Sequence, residues 1–246
     1  MTGPIRVGTS GWSYDHWKGP FYPAQLAAGR MLEFYARQFR TAEINSSFYR
    51  LPAAATLNRW CESTPADFLF TAKASRYITH MKKLGDPRRS VSAFLRRIRL
   101  LGDKLGPILF QLPPRWRFDG GRLVAFLAAL SGEFRYAFEF RDRSWLNAEA
   151  FELLSRHGAA LCIYELDGFI SPGEITSDVV YVRLHGPDGP YRGSYDDRSL
   201  AGWATDLRRW AARGCAVYCY FDNDERGYAA GDALRLQALL RESLAR

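Results

Sequence analysis

Polar residues recur in this chain at one spacing. Glu43 and Asn45, then Thr71, Lys73 and Ser75, then Ala137, Glu139 and Arg141, then Tyr181, Arg183 and His185, each sit two apart in apolar runs. Side chains two apart on a β-strand share a face. In each run the polar set comes last, just before a loop. Residues so placed could meet if the strands enclose an axis. Glu43 and Glu139 are then candidates for acid/base catalysis, with His185 assisting. A carboxyl in apolar surroundings can have its pKa raised and act as a general acid. Two facing carboxylates would suit glycoside hydrolysis. Lys73, Arg141 and Arg183 can hold an anion, or they can pair with the carboxylates, since burying an unpaired charge is costly. Two carboxylates against three cations leave about one positive charge, which an anionic ligand would complete. Asp222 or Glu165 could offset that excess if either turns inward.

Other groups fall at the same strand ends. Asn45, Ser75, Arg76, Tyr77, Gln111, Asp222 and Asn223 are candidates for substrate binding, as are Trp12 and Tyr14. Further aromatics crowd these segments, among them Phe48, Tyr49, Trp145, Tyr191 and Tyr195. They could stack on a sugar or a nucleobase, or pack the loops. The glycines of Gly186 to Gly193 could free backbone N–H groups for a phosphate, with Arg192 beside them, or form a turn-rich lid. A mixed metal site from Glu43, Glu139, His185 and Asp222 is chemically possible. Only His16, His80, His157 and His185 are available as imidazole ligands, and no metal or other cofactor is predicted.

These positions need a scaffold. Short apolar runs begin at Ile5, Thr41, Phe68, Pro107, Tyr136, Ala159, Val179 and Ala216. Between most of them lie stripes of helical period, such as Leu32, Tyr35, Ala36 and Phe39, or Leu200, Trp203, Ala204, Leu207, Trp210 and Ala211. Ser90 can cap the helix that buries Val91, Phe94, Leu95 and Ile98. The last helix is expected over about Asp232 to Leu244. Alternation of strand and helix implies a parallel sheet, and eight strands favour closure into a TIM-type (β/α)8 barrel. No GxGxxG follows the first strand, which argues against a Rossmann fold. Glu165 to Asp178 contains Gly168, Pro172 and Gly173, so helix six should be missing or rudimentary. One barrel domain should span residues 1–246.

The chain of 246 residues carries a net charge of +8 and a pI near 9.5. Such a balance admits a nucleic-acid partner. Only five of the 34 basic residues are lysine, so arginine-rich composition is the competing explanation. The densest basic stretch, Lys82 to Lys104, reads either as a phosphate-backbone patch or as the solvated face of a helix. No run approaches a membrane span, and the first strand starts too early for a signal peptide. The four cysteines form no CxxC pair. A cytoplasmic protein with no membrane partner is expected.

Seven blocks together resemble one family. They are Gly8-Thr9-Ser10-Gly11-Trp12-Ser13-Tyr14, Glu43-Ile44-Asn45-Ser46-Ser47-Phe48-Tyr49, Lys73-Ala74-Ser75-Arg76-Tyr77-Ile78-Thr79-His80, Leu109-Phe110-Gln111-Leu112-Pro113-Pro114, Glu139-Phe140-Arg141, Arg183-Leu184-His185-Gly186 and Tyr220-Phe221-Asp222-Asn223. They are similar to the signature blocks of the YecE-like proteins, domain of unknown function 72, over nearly the whole chain. The resemblance implies a TIM-type barrel and no particular reaction. It also leads one to expect a His-Asp-like pair after strand six, where this chain has Tyr164-Glu165. The residues themselves point first to a hydrolase or lyase acting on a small polar substrate, anionic or sugar-containing. A nucleic-acid-binding or nucleic-acid-processing protein is the second reading. A ligand-binding barrel without turnover is the third.

Overall fold

The structure is a computed structural model and describes residues 1–242. In chain order the elements are β1 (Ile5–Thr9), α1 (Met31–Gln38), β2 (Thr41–Ile44), α2 (Ala54–Glu62), β3 (Leu69–Lys73), α3 (Pro87–Ile98), β4 (Leu105–Leu112), α4 (Gly120–Leu127), β5 (Tyr136–Phe140), α5 (Ala148–Arg156), β6 (Ala160–Leu166), β7 (Phe169–Ile170), β8 (Val179–Leu184), α6 (Asp197–Ala212), β9 (Ala216–Phe221) and α7 (Tyr228–Glu242). Eight parallel strands pair in the order β1-β9-β8-β6-β5-β4-β3-β2. The result is a nearly closed TIM-type barrel.

The seam between β1 and β2 is made differently from the other junctions. A single isolated bridge, Ser10 opposite Glu43 with Gly11 N donating to Glu43 O at 2.9 Å, joins the strand ends. Below it the Tyr35 hydroxyl from α1 stands in for a ladder bond. It accepts from Thr9 N at 2.9 Å and donates to Thr41 O at 3.0 Å. Gly8 permits this approach, because a Cβ there would stand 2.3 Å from the Thr41 carbonyl oxygen.

Between β6 and β8 the chain makes no helix. β6 instead folds back on the two-residue β7 in an antiparallel hairpin, Glu165 opposite Ile170. The glycine and proline content of this segment explains the missing turn of helix. Elsewhere caps set the helix starts. Asp119, Asn147 and Asp196 accept from the backbone N–H of Arg122, Ala150 and Ser199. Ser90 is not a cap. α3 begins at Pro87, whose fixed φ suits a first helical turn, and Ser90 Oγ donates back to Asp86 O at 3.0 Å. α7 begins earlier than the apolar pattern indicates, at Tyr228, and the expected end at Leu244 lies outside the described residues.

Outward side chains of the strands pack under the helices. Ala42 and Ile44 join α1, α6 and α7 residues in one cluster, and Ala72, Phe110 and Phe138 join α3 to α5 in another. Inside the barrel a third cluster forms the floor, with Leu109, Ala137, Ala160, Tyr181, Tyr218 and Tyr220. Above it, Tyr220 and Tyr181 hydroxyls meet Thr41 and Thr71 at 2.6 and 2.9 Å. All four cysteines are free thiols. No helix among the described residues is long and apolar enough to cross a membrane.

Candidate active site at the barrel mouth

The strand period carries the polar ends inward, and closure brings them together at the C-terminal mouth. Arg183, at the end of β8, is the hub. Its Nε and Nη2 donate to the two oxygens of Glu43 at 3.1 and 2.8 Å. Nη1 donates to Glu139 Oε2 at 2.9 Å, and Nη2 reaches Asp222 Oδ2 at 3.0 Å. The whole side chain is buried. A planar, always-charged fork with five donors suits this task better than a lysine would.

Glu43 has no spare valence. Besides Arg183 it accepts from Ser10 Oγ and, at 2.6 Å, from Tyr181 Oη. Glu139 accepts from Arg141 Nε as well as from Arg183. Burial alone would raise the Glu139 pKa, yet Arg141 and Arg183 outweigh it and hold it well below the usual carboxylate range. Arg183 also stands between the two carboxylates, where a glycosidase would place its sugar.

Asp222 turns inward. It lies 2.9 Å from His185 Nδ1 and on Arg183. Burial would raise its pKa, but Arg183 and His185 bring it down to about 2. The excess positive charge read from the sequence is therefore cancelled within the protein. Glu43, Glu139 and Asp222 face Lys73, Arg141 and Arg183. His185 is buried, and burial together with Arg183 lowers its pKa, which favours neutral imidazole. Its Nε2 lies 2.9 Å from Arg141 Nη2, whereas Nδ1, close to Asp222, makes no hydrogen bond of good geometry.

Lys73 differs from Arg141 and Arg183. Among the described residues its ammonium makes no hydrogen bond or ion pair with a carboxylate. It stands 4.5 Å over the Phe48 ring. Burial, with Arg183 nearby, pushes its pKa down to about 8. Ser47 Oγ donates to Lys73 O at 2.6 Å and fixes the backbone that presents it. Gln111, on the neighbouring β4, has a buried Oε1 without a partner. Arg76 lies over the Tyr49 ring at 5.8 Å on the rim, and Tyr77 is exposed beside it. Ser75 Oγ accepts from Tyr77 N, a local turn bond.

Three expected site residues lie apart. Trp12, Tyr14 and Asn45 line a cleft of about 560 Å³ with Tyr49 and Trp60, beside the charge network. Trp12 meets Trp60 edge-on at 5.0 Å, and Asn45 Oδ1 is buried without a partner. Asn223 faces away from the axis. Its amide donates to Gly193 O and Asp232 Oδ2, both at 2.8 Å, so it anchors α7 and a loop. The Gly186–Gly193 loop folds on itself. A Cβ at Gly186 would stand 2.1 Å from Arg192 O, one at Gly193 would stand 2.2 Å from Asp188, and Gly193 N already donates to Glu225. That geometry fits a turn-rich lid rather than a phosphate cradle.

Tyr164 donates to Phe140 O at 2.9 Å and lies under Arg141, while Glu165 accepts from Trp203. Neither joins the hub. No group of His, Cys, Asp and Glu among the described residues is arranged to hold a metal ion. In the basic stretch, Arg97 donates to Pro52 O, Arg99 pairs with Glu133, and Lys104 caps Cys61 and Thr64. Arg88, Arg89 and Arg96 remain on the solvated face of α3. Ser10, Tyr181 and His80 escape a reading by charge. Tyr181 shares the inward parity of Arg183, and that parity was the available signal.

The family model described as "Protein of unknown function DUF72" matches residues 6–246. The UPF0759 protein YunF of Bacillus subtilis is 27% identical, covering 96% of this chain and 94% of that protein. The UPF0759 protein YecE of Escherichia coli K12 is 35% identical over 56% of this chain and 48% of its own length. The crystal structure of a DUF72 family protein from Thermotoga maritima superposes with a TM-score of 0.86 at 30% identity, covering 96% of this chain and 99% of that one. One from Enterococcus faecalis gives 0.83 at 19% identity, covering 96% and 95%, a likeness of fold. With a family match over almost its full length, this chain belongs to the DUF72 family.

Proposed function

We propose that this barrel is an enzyme of the hydrolase or lyase type for a small polar anion, with Lys73 as its reactive base. The sequence directs acid/base work to Glu43 and Glu139. The geometry supports moving it to Lys73, because both carboxylates are spent on arginines. A lysine desolvated beside another cation is partly neutral near physiological pH and so becomes a base or nucleophile. The observation that carries the reading is the unpaired Lys73 ammonium over Phe48. Arg141 and Arg76 would hold the anion, and the Arg183 network with His185 would fix Arg141 in place.

Competitive acetylation with trace acetic anhydride tests this. The chain has only Lys18, Lys73, Lys82, Lys83 and Lys104. Peptide mapping across pH should give Lys73 a midpoint near its shifted value of about 8. A midpoint shared with Lys83, or no reaction at Lys73, would remove the reading, since a substrate needs the same access.

A second reading is a nucleic-acid-binding protein. It is favoured by exposed Tyr49 and Tyr77, each with a cation at 5.8 Å, and by free arginines on α3. Single-stranded DNA binding that weakens steeply with log salt, and less steeply after Arg88→Ala, Arg89→Ala and Arg96→Ala together, would support it. An unchanged slope would leave α3 as solvated surface.

A further inference from the structure

We propose that Lys73 forms an imine with a carbonyl-bearing carboxylate, held through that carboxylate by Arg141 and Arg76. This rests on Lys73 being the reactive amine, and it narrows the substrate to small oxo acids and the reaction to lyase chemistry. Three features of the mouth support it.

The first is placement. Lys73 ends β3 with its ammonium on the Phe48 ring and no competing acceptor. The Phe48 ring has Lys73 at 4.5 Å, His80 at 5.0 Å and Tyr49 at 5.1 Å, and Tyr49 has Arg76 at 5.8 Å. The amine and Arg76 thus share one aromatic cluster, within electrostatic reach of Arg141 at His80. Arg141 uses Nε on Glu139 and Nη2 on His185, and its Nη1 makes no hydrogen bond among the described residues.

The second is an unused acceptor. β3 pairs with β4 through Lys73 and Leu109, and Gln111 lies two residues further on the same face. Its buried Oε1 has no donor. A carbinolamine hydroxyl or an iminium N–H would supply one, which an intact ammonium at Lys73 does not do here.

The third is charge. The neutral amine attacks the carbonyl carbon, and the carbonyl π pair moves to oxygen. Nitrogen gives up one proton and oxygen gains one, forming the carbinolamine. Its hydroxyl leaves with a proton as water, and the nitrogen lone pair forms the C=N bond. In sum, an ammonium and a carbonyl become an iminium and water. One positive charge is present on nitrogen before and after, so imine formation leaves the balance with Glu43, Glu139 and Asp222 unchanged. Arg76, which no carboxylate pairs among the described residues, offsets the substrate carboxylate. In a buried network that conservation matters, because an uncompensated charge is costly. His80, with Nδ1 at Thr79 Oγ1 and its ring edge-on to Phe48 at 5.0 Å, would carry the protons through Nε2. The charged groups that act on Lys73 are thus Arg183, Asp222, Glu43 and Glu139, and Lys73 in turn acts on His80.

The test is reductive trapping on the full-length protein. Pyruvate and glyoxylate are the probes, sodium borohydride is the reductant, and peptide mapping locates the adduct. The expected result is labelling of Lys73 at least roughly tenfold above Lys18, Lys82, Lys83 and Lys104, as for a desolvated lysine nucleophile. Acetaldehyde, which lacks the carboxylate, should lose that preference. Lys73→Arg should abolish the selective adduct. The internal comparison of lysines in the unaltered protein stands even if that variant folds poorly. Lys73 that acetylates with a lowered midpoint but is not trapped would overturn the imine and leave the reactive base. Lys73 that does neither would overturn both.

Discussion

The two sides of the barrel mouth treat buried charge in opposite ways. On the side of β2, β5, β8 and β9, Arg183 meets Glu43, Glu139 and Asp222, and Ser10 and Tyr181 complete Glu43. All three carboxylates there have donors, and the orphaned polar atoms on that side, Asn45 Oδ1, His185 Nδ1 and Asn223 Oδ1, carry no charge of their own. On the side of β3 and β4, Lys73 has no carboxylate and Gln111 Oε1 has no donor. A satisfied network fixes geometry and resists change. An unsatisfied group stores free energy that a ligand can release. The difference separates the frame of the site from the part that can react.

The contrast is sharpest for Arg183. Arg183→Met takes the shared cation from three buried carboxylates, of which only Glu139 keeps an arginine, and should lower stability by about 3–5 kcal/mol in urea unfolding. A loss below about 1 kcal/mol would mean that the two sides are equivalent. Lys73→Met should act the other way. The Lys73 pKa falls from 10.5 unfolded to about 8 folded, so the native state carries a penalty for its charge below pH 8. That penalty is relieved as pH rises from about 8 to 10.5, where the native state has already shed the proton. The variant should therefore gain up to about 3 kcal/mol at pH 7, with the gain fading across that window. Destabilisation at pH 7 would place Lys73 within the frame.

Asp222 tests the frame from the acid side. Its pKa is about 2 folded against 3.8 unfolded, so its stabilisation is present above pH 3.8 and lost as pH falls through about 2. The loss should be about 2 kcal/mol and should vanish from the pH profile of Asp222→Asn. The smallest effect belongs to Gln111→Leu. Removing a buried acceptor that has no donor should leave stability unchanged or raise it by about 1 kcal/mol. A loss would reveal a partner for Gln111.

Glu43, Glu139, Arg183 and His185 were legible in the sequence because the period of a strand is two and their runs are short. The fold followed from alternation alone, and the missing helix six followed from glycine and proline. Asp222 was harder, since two polar residues in succession leave parity open. Its inward turn then sends Asn223 to α7. The saturation of Glu43 was not legible. It depends on Ser10 and Tyr181 arriving from strands distant in sequence, and hydroxyls in apolar runs carry no charge signal. Lys73 read as one cation among several, because spacing cannot show that Arg183 takes all three carboxylates.

The Tyr35 clasp between β1 and β2 bears on how the ring is shut. Its two strands are roughly 30 residues apart in the chain, whereas β1 and β9 are roughly 210 apart, so joining β1 to β9 costs about 1.7 kcal/mol more in loop-closure entropy. The regular five-residue ladder, Ile5 with Val217 through Thr9 with Phe221, falls at that costlier junction. The sparse one, held by Tyr35 and one isolated bridge, falls inside the first strand–helix–strand unit. Pairing strength is thus distributed by contour length. The weakest junction of the ring lies where the chain itself limits how far the strands can part.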